Sequence, residues 1–207
     1  MFFDALIITT LFTAFAISHS VLASHKFKKK LTSKLGDKIA FYRIFYNVSS
    51  ILVFLFIYKI SPKPDYIIYD LSFPFDIIVV LLQIISGFAL LWIVKSINLI
   101  EFLGFSQIKR FSNESYNTND LDEQMELRKD GVFKYSRHPV YLFASLFLIL
   151  RPTMDFFYLI FLLNMLIYFY IGSYFEEKKM LTIFGDEYKK YQIMVPRILS
   201  VNMLIKK

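Results

Sequence analysis

The sequence predicts an all-α integral membrane protein of about five transmembrane helices, closing with a C-terminal helical hairpin and a cytoplasmic amphipathic tail. Three observations predict it. The 207 residues are 56% hydrophobic and 19% aromatic, with a mean hydropathy of +0.48; a soluble domain of this length carries more charge and less phenylalanine. Apolar runs of bilayer length recur along the whole chain. Lysine gathers beside those runs, where anionic headgroups and the positive-inside rule account for it.

Segment one, Ala5 to Ser24, holds no Asp, Glu, Lys or Arg and is long enough to cross a hydrocarbon core of about 30 Å. Asp4 rather than a positive region precedes it, so it reads as a span and not as a signal peptide, although its VLAS stretch is similar to a cleavage site. The lysine-dense stretch His25 to Lys38 follows and is expected in the cytoplasm, which puts the N-terminus outside. Segment two covers about Ile39 to Ile60 and ends at a proline-broken SPKP loop. The loop from Lys59 to Asp76 holds two lysines against three aspartates, as on the outer side. Segment three runs from about Phe75 to Leu99, with Gly87 as a close helix contact or a tolerated interruption. The polar stretch Glu101 to Ser136 returns to the cytoplasm. Segment four, about Val140 to Leu150, is too short to span alone, so it is expected to pair with segment five, Phe156 to Phe175, as a tight hairpin. The tail from Glu176 to Lys207 is basic and amphipathic.

The same pattern excludes several function classes. There is no cysteine, hence no disulfide framework and no thiol nucleophile. His19, His25 and His138 are too widely spaced for a metal site, and none is expected. A net charge of +7 would suit nucleic acid, but no nucleic-acid motif accompanies it.

Polar groups flank the last two apolar segments. Pro139 is preorganised for a first helical turn, which places Arg137 and His138 at the N-terminus of segment four. Free backbone N–H groups and the helix dipole favour a carboxylate or phosphate there; snorkelling of Arg137 to the headgroups is the alternative. Glu176 and Glu177 fall at the expected C-terminus of segment five, where acids oppose the dipole, so function or a solvated face must explain them. Tyr188 and Tyr191 share a helix face with Phe184 and Val195, read from the residues alone as an interfacial aromatic belt. Upstream, His19, Arg43 and Asn47 lie near the cytoplasmic ends of segments one and two. Singly they read as packing; together they are candidates to line a substrate pocket.

Gly131, Phe133, Arg137-His138-Pro139, Tyr141, Glu176-Glu177, Phe184-Gly185, Tyr188, Tyr191 and Val195-Pro196, in this order, resemble the isoprenylcysteine carboxyl methyltransferase and phospholipid methyltransferase superfamily. Four further stretches are similar to its NnrU-like branch, which includes methanethiol S-methyltransferase-like proteins: His19 to Leu31, Tyr42 to Asn47, Leu103 to Gln107 and Arg151 to Asp155. The resemblance implies one membrane methyltransferase-like domain over 1–207. Residues 1–100 would supply three helices, and 101–207 the cofactor-binding loop, hairpin and tail. It implies S-adenosyl-L-methionine as cofactor on the cytoplasmic side. His138 and Tyr141 would hold its amino-acid and ribose portions, and Glu176 its ammonium or a ribose hydroxyl, with Arg137 and Glu177 also among the cofactor-binding residues. Leu127, Arg128 and Phe133 would belong to the loop that closes over it. No catalytic residue is assigned, Arg137 and His138 being the candidates.

Three departures narrow the reading. Gly172 stands where eukaryotic prenylcysteine-type enzymes carry an arginine, Phe133 stands for a tyrosine, and Ser200 and Val201 replace a late proline. A small thiol is therefore the expected acceptor, entering from the bilayer between segments one, two and the hairpin, with a lipid amine or carboxylate as the alternative. An NADPH-dependent steroid-type reductase shares the Arg-His-Pro-x-Tyr pattern, and a non-enzymatic NnrU-like membrane accessory protein is the third reading. The expected partners are substrate and membrane lipids, and the expected location is the inner membrane of a bacterium.

Overall fold

Apolar stretches without water to bond must satisfy their own backbone, so they fold as helices. The computed structural model describes residues 1–95, 98–118, 121 and 126–198. Four helices among the described residues are long and apolar enough to cross a membrane, and an 11-residue apolar helix accompanies them. The chain is an integral membrane protein built of helices. It groups into two compact units, residues 1–64 with 97–125 and residues 65–96 with 126–207.

In the first unit, α1 (Phe2–Ala23) packs on α3 (Tyr42–Ile60). Phe12 and Phe15 of α1 meet Phe54 edge-on at centroid separations of 5.8 and 5.5 Å. Between them lies α2 (His25–Leu35), capped by Ser24, whose hydroxyl accepts from the Phe27 amide at 3.3 Å. It has no buried residue, as suits a lysine-rich helix at a headgroup surface. A 3₁₀ turn, Gly36–Phe41, leads into α3.

Two short helices, α5 (Leu99–Leu103) and α6 (Phe105–Ser112), complete this unit, in a stretch the sequence read only as polar loop. Asn98 caps α5 through the Glu101 amide, so the helical run expected up to Leu99 breaks before it. Gly104 joins the two helices with φ at +103°, and a Cβ there would sit 2.9 Å from Ile44 Cγ1 and 3.0 Å from the Ile44 nitrogen. Only glycine fits both the dihedral and the approach. Glu101, 6% exposed, takes both Arg110 terminal nitrogens at 2.8 and 2.9 Å and Gln107 Nε2 at 3.0 Å.

The second unit contains α4 (Phe75–Lys95), α7 (Pro139–Ile149) and α8 (Phe156–Met194). α7 packs chiefly against α4 and less extensively against α8. Gln83 donates to the Phe147 carbonyl at 2.9 Å, and the Phe147 ring lies 3.4 Å from where a Gly87 Cβ would stand; Gly87 is thus a close helix contact. Two short strands depart from the all-helical expectation. β1 (Ile67–Asp70) pairs antiparallel with β2 (Thr153–Asp155), which puts the connection before α4 and the α7–α8 connection on one side of this unit. Asp155 then caps α8 through the Tyr158 amide at 2.8 Å.

α8 does not stop at Phe175. It continues through the acid pair to Met194, interrupted at Gly185, where φ is +53° and ψ −129°. The tail is therefore an extension of the last apolar helix, turned at a glycine. Residues 199–207 of the expected tail lie outside the described residues.

Candidate functional site

The site is assembled in the second unit, where the start of α7 meets the polar half of α8. Pro139 occupies the first turn of α7 and no side chain caps the helix. His138 and Arg137 precede it, held by backbone bonds: the Arg137 amide donates to the Pro196 carbonyl and the His138 amide to the Arg197 carbonyl, both at 3.0 Å. Ser136, also buried, donates to the Arg197 carbonyl at 3.4 Å. The chain just past α8 thus serves as a template for the residues just before α7.

Arg137 does not snorkel. Its side chain is 8% exposed. Nε donates to Glu177 Oε1 at 2.6 Å, and Nη2 faces the same oxygen at 2.6 Å. Nη1 donates to the Gln192 carbonyl at 2.8 Å and to the Val195 carbonyl. A cation on the last carbonyls of a helix complements its negative end. Gln192 Nε2 completes the cluster on Glu177 Oε2 at 3.1 Å.

The two acids differ in surroundings. Glu177 is buried, whereas the Glu176 side chain is 49% exposed. Glu176 accepts from the Tyr141 hydroxyl, and its Oε2 lies 3.3 Å from His138 Nδ1. Both sit inside a continuous helix rather than at its end, so the dipole opposition expected from the sequence does not arise; the helix runs on because nothing between Phe175 and Phe184 breaks it. His138 is 8% exposed. Its Nε2 lies 3.4 Å from Glu177 Oε1 but makes no hydrogen bond. The His138 ring stacks on Tyr141 at 5.6 Å, and Tyr141 stacks on Phe169 at 5.2 Å.

Tyr188 and Tyr191 form no exposed belt. They are 2% and 3% exposed and pack with Val195, Leu127, Met180, Leu181 and Phe184. Burial, with the Glu177 carboxylate adding to it, pushes the Tyr188 hydroxyl up to about 12, and burial pushes Tyr191 to about 12. Both stay protonated at neutral pH, and Tyr191 donates to the Phe133 carbonyl at 2.5 Å. Lys129 bridges to Glu187 at 2.5 Å. A cavity of about 70 Å³ lies between Trp92 and Ile93 of α4 and the segment Arg128 to Phe133.

The structure thus brings Arg137, His138, Tyr141, Glu176 and Glu177 into one cluster. Leu127 and Phe133 are tied to the end of α8, and Arg128 and Phe133 line the small cavity. Sequence reasoning missed Ser136, Phe169 and Gln192. Gln192 follows Tyr188 by one helical turn, which was the available signal; nothing marks Pro196 and Arg197 as suppliers of carbonyl groups.

His19, Arg43 and Asn47 belong to the first unit. His19 Nδ1 lies 3.0 Å from Ser50 Oγ, and the ring is stacked by Phe15 at 5.3 Å and by Tyr46 at 4.9 Å. Arg43 Nε donates to the Phe102 carbonyl at 2.7 Å, while Asn47 Nδ2 donates to the Phe102 and Leu103 carbonyls at 3.2 and 3.1 Å. Arg43 and Asn47 thereby cap the open end of α5.

An apolar helical protein carrying a histidine, a tyrosine and two glutamates at one helix start is an integral membrane protein with a built polar site. Its sequence is similar to those of proteins named methyltransferases. The chain is 29% identical over 95% of its length to a protein named methanethiol S-methyltransferase 1 from Bradyrhizobium diazoefficiens, covering 67% of it. Proteins named methanethiol S-methyltransferase from Crocosphaera subtropica and Pseudomonas deceptionensis are 27% and 26% identical over 89% and 91% of the chain, each covered to 70%. The chain is thus similar to proteins of that name over about nine-tenths of its length, in keeping with the motif resemblance. No family model and no solved structure matches it.

Proposed function

We propose that this protein is a membrane methyltransferase that uses S-adenosyl-L-methionine and acts on a small thiol, methanethiol being the first candidate. The observation that carries the reading is the similarity over about nine-tenths of the chain to proteins of that name, joined to a site whose chemistry suits the donor. When bound, S-adenosyl-L-methionine supplies an activated methyl group on a sulfonium. Glu176 offers an exposed carboxylate for its ammonium, the uncapped start of α7 offers N–H groups for its carboxylate, and His138 Nε2 is a buried nitrogen in want of a partner. Tyr141 and Phe169 form an aromatic stack alongside. Leu127, Arg128 and Phe133, the remaining cofactor-side candidates, belong to the segment tied down by Tyr191.

These residues bind and align rather than exchange protons. A thiol ionises far more readily than an alcohol, so the small thiolate fraction present at neutral pH, its proton given up to water, can attack the methyl group without a strong protein base. The protein's contribution is then alignment of donor and acceptor and exclusion of water. We read residues 1–207 as one membrane domain, with His19, Arg43 and Asn47 as acceptor-side candidates. The protein is placed in the inner membrane of a bacterium, N-terminus outside and α8's polar half in the cytoplasm; the lysines of α2 support this orientation.

The test is isothermal titration of S-adenosylhomocysteine into the detergent-purified protein, with NADPH as the comparison. Saturable micromolar binding of the former is expected. Binding of NADPH in its place would make the protein a reductase, and binding of neither by folded protein would leave the accessory role.

A further inference from the structure

We propose that Arg137 and Glu177 are positioning residues that do not touch the methyl donor, and that Glu176 alone of the acid pair meets it. This rests on the donor reading above. A guanidinium has five N–H groups in a fixed fork. Around Arg137, Nε and one side of Nη2 face Glu177, and Nη1 serves two carbonyls at the end of α8. At most one Nη2 proton remains, on a side chain that is 8% exposed. Arg137 therefore has at most that one buried proton to offer, and cannot grip a carboxylate with two N–H groups without surrendering a bond it already makes.

Glu177 is equally committed. Oε1 receives Arg137 and Oε2 receives Gln192. An ammonium approaching it would compete with a buried, multiply bonded guanidinium. Glu176, its neighbour in sequence, points the other way, with half its side chain open, the Tyr141 hydroxyl donating to it and His138 Nδ1 3.3 Å from its Oε2. Adjacent residues on a helix are 100° apart, so one acid can face the scaffold while the next faces the ligand.

The clamp fixes what the ligand-facing groups need. The ion pair ties Arg137, the residue before His138, to Glu177, the residue after Glu176. It also holds the end of α8, whose following carbonyls fix the Arg137 and His138 amides. Loosening it changes the spacing between His138 and Glu176 without removing either.

The experiment compares two ligands on the full chain in detergent. S-adenosylhomocysteine carries the amino-acid end; 5′-methylthioadenosine shares the nucleoside and thioether and lacks it. Affinities for both are measured on wild type, Glu176→Gln, Glu177→Gln and Arg137→Lys, at a temperature well below unfolding, with thermal melts alongside. Glu176→Gln is expected to cut the preference for S-adenosylhomocysteine at least fivefold. Glu177→Gln and Arg137→Lys are expected to weaken both ligands together, at least threefold, with the preference unchanged within twofold. Glu177→Gln retains an acceptor for Arg137 and keeps the test open if the lysine variant fails to fold. A preference lost in Glu177→Gln, or kept in Glu176→Gln, overturns the division of roles. Lower melting with neither affinity changed overturns it too, since the pair is then structural only. Wild type binding neither nucleoside defeats the donor reading itself.

Discussion

Removing Arg110 is expected to destabilise the protein more than neutralising Glu101, although the two form one ion pair. Glu101 is 6% exposed, whereas the Arg110 side chain keeps 27% of its surface in solvent. Arg110→Ala leaves a carboxylate in the interior with the neutral donors Gln107 and Ser106, and stripping the charged partner from a buried charge costs about 3–5 kcal/mol. Glu101→Gln keeps an acceptor toward Arg110, whose charge water can reach, and costs about 1 kcal/mol. At about 2–4 °C per kcal/mol for a chain of this size, thermal melts in detergent should fall by about 6–20 °C for Arg110→Ala and by about 2–4 °C for Glu101→Gln. The hydrogen bonds from Arg110, its charge adding to them, hold the Glu101 carboxyl below its usual value of 4.5. A depressed acid stabilises the fold above its unfolded value and ceases to do so as pH falls through its folded one. The gap between wild type and Arg110→Ala is thus expected to be widest well above the usual carboxyl value and to close as the pH falls through the lowered folded value of wild type. Equal melting of the two variants, or a gap that persists in acid, would refute the reasoning.

Other expectations concern single contacts. Gly104→Ala combines a left-handed φ with a Cβ 2.9 Å from Ile44 and should cost about 2–4 kcal/mol; an unchanged melting temperature would count against the close approach. Tyr191→Phe removes the bond to the Phe133 carbonyl for about 0.5–1.5 kcal/mol and should speed hydrogen exchange across residues 131–136, whereas equal exchange would show that packing alone holds this segment. His138→Ala and Glu176→Ala should each weaken S-adenosylhomocysteine at least tenfold, about 1.4 kcal/mol, with the fold intact by circular dichroism. Wild-type affinity in both would remove them from the site.

The helices were legible because their signals are local. Pro139 announced the start of α7, and the apolar runs gave α1, α3 and α4 to within a few residues. The break at Asn98 and the pairing of β1 with β2 were not legible: three- and four-residue strands have too little pattern, and their partners lie far along the chain. The same holds for the site. Its members could be named from Arg137-His138-Pro139 and Glu176-Glu177, but the geometry that separates buried Glu177 from open Glu176 depends on carbonyl groups past Tyr191. Backbone oxygens leave no mark in a sequence. Reading the acid pair as a helix end failed because a charged residue does not stop a helix; Gly185, a few residues on, interrupts it.

The link from Arg137 to the Val195 carbonyl spans 58 positions, and that separation sets an order of events during synthesis. At about 5–20 residues per second, Arg137 leaves the ribosome about 3–12 s before Val195. The apolar helices enter the bilayer while their polar junction is still unmade. Arg137 and Glu177 must stay hydrated at the membrane surface until the last turn of α8 arrives. A nascent chain halted before Gln192 would carry His138, Tyr141 and Glu176 without the frame that aligns them, so competence is conferred only once Gln192 to Val195 have been made.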